Sequence, residues 1–151
     1  MKKYLLILLA VTTFVACKDN EPEPAPEHGE PSISYQVKGV VTDEAGNPLA
    51  GIAMRLKDDY MNPAFKDPYV QLDSVGTDEN GVYASNFVKD TQIRDGLVMI
   101  AEDVDGEENG GLFASDTLRL TDLEKKKVAE GDDEWDSGTW ELKGDLKLKK
   151  K

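Results

Sequence analysis

From Ser34 onward, short runs rich in β-branched and aromatic residues are cut by turn-forming residues about every 10 to 15 positions. A chain punctuated so often cannot build long helices, so its apolar residues must be buried by sheets that pack face to face. Seven strands are expected, at residues 35–42, 52–57, 72–75, 82–88, 97–104, 112–120 and 139–148. In the second, Ile52, Met54 and Leu56 alternate with Ala53, Arg55 and Lys57, which gives one buried and one wet face. Gly46 and Asn47 are expected to supply positive φ in the first turn, and Pro48 to stop the strand. Only 123–130 has a pattern that permits a helix, of one or two turns. The expected fold is therefore all-β, a single seven-stranded β-sandwich of the immunoglobulin-like kind.

Composition removes several function classes. The chain has one cysteine, so no disulfide can form within it and the sandwich must stand on packing alone. Its one histidine, His28, lies ahead of the first strand, which leaves the domain without a Ser-His-Asp arrangement, a Cys-His pair or a multi-histidine zinc site. A formal net charge of -12 repels phosphate backbones, so nucleic acid is not an expected partner.

The N-terminus reads as an address. Lys2 and Lys3 precede an almost wholly apolar run at 4–15, and small Ala16 stands before Cys17. The run is about a dozen residues, short of the about 20 that a membrane-spanning helix needs. Residues Phe14-Val15-Ala16-Cys17 resemble a lipobox, with Phe14 in place of the usual leucine. The resemblance implies cleavage before Cys17, acylation of its thiol and attachment to the outer membrane, and Lys18, Asp19 and Glu21 after it resemble the surface-export signals of Bacteroidetes lipoproteins, which leaves the domain facing either the periplasm or the cell surface. Residues 1–16 are then the lipoprotein signal peptide and 17–33 a tether in which prolines alternate with acids and favour extended conformations. The β-sandwich domain occupies 34–151.

Two family resemblances follow. Residues Val37-Lys38-Gly39-Val40-Val41-Thr42-Asp43-Glu44-Ala45-Gly46-Asn47-Pro48-Leu49-Ala50-Gly51-Ile52, followed by Thr77-Asp78-Glu79-Asn80-Gly81-Val82-Tyr83, resemble the carboxypeptidase regulatory-domain-like modules. That implies a transthyretin-like sandwich. Over nearly the whole length, the lipobox-like start, His28-Gly29-Glu30-Pro31, the block 102–116 and the ending from Trp140 resemble the radical SAM-associated lipoproteins of gut Bacteroidetes. This second resemblance implies a radical SAM enzyme as genomic partner and, as an alternative function, modification of this chain by that enzyme before export.

Two candidate sites remain. Asp103, Asp105, Glu107 and Asn109 place oxygen ligands on one Gly-rich turn, chemistry that suits Ca²⁺, although Gly106 falls too early for an EF-hand loop. Tyr60, Phe65 and Tyr69 lie on the long insertion at 58–71 and could anchor a protein or glycan ligand. No catalytic residue is expected. The function expected from sequence is a lipid-anchored envelope lipoprotein whose sandwich is a non-enzymatic binding module. Intact mass spectrometry of the native protein should show residues 1–16 removed and acyl chains on Cys17. A Cys17→Ser variant should lose the acyl mass.

Overall fold

The computed structural model describes residues 31–59 and 69–151. Among them the fold is all-β, two sheets packed as a sandwich. Ten strands run in chain order: β1 (Ser32–Asp43), β2 (Ile52–Asp58), β3 (Val70–Gly76), β4 (Val82–Ala84), β5 (Val88–Asp90), β6 (Leu97–Asp103), β7 (Asp116–Arg119), β8 (Glu124–Ala129), β9 (Asp136–Lys143) and β10 (Leu146–Leu148). A 3-10 turn, Leu120–Asp122, follows β7.

One sheet is built around β1. Antiparallel β4 and β5 pair with it, and β9 and β10 run parallel to it, at Ser32 to Lys38 and Val41 to Asp43. Strand β8 pairs antiparallel with β9 and forms an edge. The other sheet is fully antiparallel, in the order β3-β2-β6-β7. Two of the seven expected strands are each divided. Residues 82–88 become β4 and β5, separated where the Ser85 hydroxyl accepts from the Val37 N–H (3.0 Å). Residues 139–148 become β9 and β10, separated at Gly144 and Asp145.

The third addition corrects the helical expectation at 123–130, because Glu124–Ala129 is a strand. All six of its residues are exposed and none enters the core, so the ladder to β9 decides its conformation. Its three consecutive lysines and a bulge near Val128 suit an edge that must resist pairing with other chains. The Lys-rich ending, in contrast, is not a free edge. Ala114 donates to the Lys149 carbonyl (2.8 Å) and Lys151 to the Leu112 carbonyl (2.9 Å), which ties the chain's end to the segment ahead of β7. In the first turn Gly46 takes φ 90° as expected, but Asn47 does not have positive φ. Asn47 instead donates its backbone N–H and its side-chain amide to the two oxygens of Asp43, at 2.8 Å each.

Alternation fills the core. Tyr35, Val37 and Val41 of β1 face Ile52, Met54 and Leu56 of β2 and Leu97, Met99 and Ala101 of β6, with Leu142, Leu146 and Leu148 arriving from the C-terminal strands. The inward row of β2 ends on a charge, since Asp58 is buried like the apolar residues before it. Arg94, on the connection from β5 to β6, pairs with Asp58 and also with Asp90 (2.8 Å). Asp58 belongs to one sheet and Asp90 to the other, so this guanidinium ties the two sheets at one end of the sandwich. Replacing Arg94 by methionine would leave the Asp58 carboxylate buried without its counter-charge, and urea unfolding should show a loss of about 3 kcal/mol. Breaking the exposed Lys38–Glu141 pair by Lys38→Met should cost no more than about 0.5 kcal/mol in the same assay.

Candidate functional site

The outer face of the β1 sheet carries a groove that the sequence reading did not single out. On β1, Val37 and Val41 point into the core, which turns Lys38 and Val40 outward. On β4, Tyr83 points inward and Val82 and Ala84 outward. Strand β9 presents Glu141 and Lys143 on the same outer face, beside Glu124 and Lys126 of β8. Together these rows line an open groove of about 470 Å³. Its floor is apolar (Val40, Val82, Ala84), and Val82 leaves 45% of its surface exposed.

Charge around the floor balances. Lys38, Lys126 and Lys143 are matched in number by Glu124, Glu141 and Asp145. Lys38 bonds Glu141 at 2.7 Å and Lys143 bonds Asp145 at 3.1 Å. The hydrogen bond to Asp145 holds the Lys143 ammonium above the usual lysine range. Asp145 also accepts from the Val40 N–H (3.1 Å), so it fixes the groove's floor to its rim. On a chain of net charge -12, this is a neutral, partly apolar patch.

Beneath the groove lies a close backbone approach. A Cβ placed on Gly39 would fall on the carbonyl of Gly144, and one on Gly144 would fall on the Tyr83 hydroxyl. Both positions therefore require glycine for space, since neither has positive φ. Tyr83 donates to the Gly144 carbonyl at 2.7 Å from inside the core. Burial, with the Asp145 charge adding to it, pushes the Tyr83 phenol well above its usual range.

The sites expected from sequence stand as follows. Cys17, Tyr60 and Phe65 lie outside the described residues. Tyr69 is half-buried just before β3, with the Lys57 ammonium 5.8 Å from its ring centre. In the acidic loop, the Asp103 carboxylate accepts from the Gly106 N–H (3.2 Å) and the Phe113 N–H (2.7 Å). Partial burial would raise its pKa, but the Phe113 N–H and further donors outweigh that and hold it low. Asp105 accepts from the Asn109 side-chain amide, and Glu107 is exposed. These side chains close the loop on itself, and among the described residues no group of three His, Cys, Asp or Glu converges as a metal site would.

No family model matches the chain. No curated protein matches it either. Among solved structures it is similar to 3-chlorocatechol 1,2-dioxygenase from Rhodococcus opacus 1CP, at 16% identity and a TM-score of 0.48, covering 84% of this chain and 63% of that one. It is likewise similar to the dioxygenase domain of a dioxygenase–carbohydrate-binding protein fusion from the cellulolytic bacterium Streptomyces sp. SirexAA-E, at 14% identity and a TM-score of 0.48, covering 81% of this chain and 83% of that one. These neighbours correct the function expected from sequence. Both of these chains are dioxygenases, whereas the sequence led to the expectation of a non-enzymatic, lipid-anchored binding module. Neither that reading nor its radical SAM substrate alternative is carried forward.

The buried phenol yields a prediction about pH. Tyr83 is neutral in the fold, whereas an unfolded tyrosine ionises near pH 10. Its contribution is thus fully present below about pH 10 and is lost as pH rises toward the raised folded value. Urea unfolding of the Tyr83→Phe variant should show about 1 kcal/mol less stability at neutral pH, and a shallower decline than the parent above about pH 10.

Proposed function

We propose that the groove on the outer face of the β1 sheet is the working surface of this domain, and that it takes an elongated ligand that is uncharged and partly apolar. One observation carries the reading, the balanced rim around an exposed valine and alanine floor on a strongly acidic chain. An anionic ligand would meet the carboxylates of the rim and the field of the whole chain, and a cationic one would have to displace lysines already paired. A neutral ligand meets neither cost. Apolar contact with Val40, Val82 and Ala84 supplies its attraction, and the paired rim residues offer hydrogen bonds along its length.

The floor is rigid because it is built from hydrogen-bonded strands, so the groove is largely formed before binding. Backbone amide NMR should test this with panels of uncharged oligosaccharides and of charged and uncharged short peptides. Shifts from uncharged binders should fall on β1, β4, β8 and β9, and Val82→Asp should weaken binding by roughly tenfold while leaving the urea midpoint nearly unchanged. Binding that maps to the Asp58–Arg94 end of the sandwich, or that Val82→Asp leaves intact, would sink the proposal.

A further inference from the structure

The described residues contain two Asn–Gly pairs, Asn80–Gly81 and Asn109–Gly110. This dipeptide is the one most prone to form a succinimide, because glycine has no side chain to hinder its amide nitrogen from reaching the preceding asparagine's side-chain carbonyl. The two pairs share one chemistry but sit in opposite settings.

Around Asn80 the turn is locked. The Asp78 carboxylate accepts from the N–H groups of Asn80 (2.9 Å) and Val82 (2.8 Å). The Gly81 N–H, whose nitrogen would have to attack, donates to the Asp78 carbonyl at 2.9 Å. The Gly81 carbonyl accepts from Val41 at 2.8 Å, and the space beside its Cα is filled by the backbone of Val41 and Leu49. Attack would require this turn to open.

Around Asn109 the side chain is held by Asp105 and the Gly111 N–H donates to the Glu108 carbonyl (3.3 Å), but the attacking amide between them is not tied down. Asn109 is exposed and is the described non-glycine residue with positive φ, at 48°. Gly110 and Gly111 follow at 108° and 107°. The Gly110 N–H makes no hydrogen bond among the described residues, and a Cβ at Gly110 would meet only the Phe113 ring edge at 3.9 Å.

We infer that Asn109 is a site of spontaneous deamidation in the folded protein and that Asn80 is protected. Base removes the Gly110 amide proton, and the nitrogen forms a bond to Cγ of Asn109. The Cγ–Nδ2 bond breaks and ammonia leaves, giving the cyclic imide. Water then opens the ring at either carbonyl and leaves aspartate or isoaspartate. No oxidant or reductant is needed. The new carboxylate replaces the amide that donates to Asp105, and two anions then face each other where a hydrogen bond stood. Asp105 and Asn109 both lie against Gly51, so the change loosens the acidic loop from the turn before β2.

The full chain should be incubated at mildly alkaline pH in ¹⁸O-water, then digested and mapped by mass spectrometry. In the native protein Asn109 should convert roughly tenfold faster than Asn80, as expected if one hydrogen bond must be broken for the latter, with ¹⁸O in the product at 109. In concentrated urea the two rates should become similar. Asp78→Ala should raise the rate at Asn80 and leave Asn109 unchanged. Equal native rates at the two sites, or an Asn109 that stays intact in the native protein while reacting in urea, would overturn the inference.

Discussion

Gly39 sits in the middle of the longest strand with no side chain, and the backbone of Gly144 occupies the place where a Cβ would be. That approach lets the C-terminal chain follow β1 twice, first as β9 and then as β10. The Gly144 N–H donates to the Lys38 carbonyl (2.8 Å) and its carbonyl accepts from Tyr83, so the break between the two strands is hydrogen-bonded on both sides. Leu142 ahead of the break and Leu146 after it both reach the core. Asp145, on the break itself, is turned outward to hold Val40 and Lys143. Core, break and groove thus share one steric condition.

A second condition acts at the far end. The inward row of β2 carries a carboxylate into the region between the sheets, and Arg94 makes that tolerable by joining Asp58 to Asp90 across them. Tyr35 lies near these charges with its hydroxyl buried and unpartnered among the described residues. Burial, then Asp90, pushes that phenol far above its ordinary range, with Arg94 opposing. At the opposite end of β2, Thr77 plays the corresponding polar part. Its hydroxyl donates to the Leu49 carbonyl (2.6 Å) and accepts from the Ile52 N–H (3.0 Å), closing the turn into β2 from within the core. Both ends of the sandwich are fastened by buried polar side chains that bridge segments distant in sequence.

Much of this was legible beforehand. Alternation at Ile52, Met54 and Leu56 specified β2 and its buried face, because side chains on a strand alternate whatever the surroundings. Gly46 marked the first turn because positive φ there suits glycine. At 123–130 the lysine-rich run has no strong preference of its own, and pairing with β9 decided. The groove is equally absent from any local pattern. Val40, Val82 and Ala84 look unremarkable one at a time, and only strand pairing sets them side by side as an apolar floor.

The sequence by itself therefore determined the class of fold, most strand positions, the turn chemistry and the acidic character of the chain, since each follows from residues near one another along the chain. The tertiary structure alone decided the parallel pairing of β9 and β10 with β1, the roles of Gly39, Gly144 and Arg94, and the neutral groove. Each of those rests on contacts between residues tens of positions apart, as in Gly39 with Gly144 or Asp58 with Arg94, and no local pattern encodes which distant partner a strand will find.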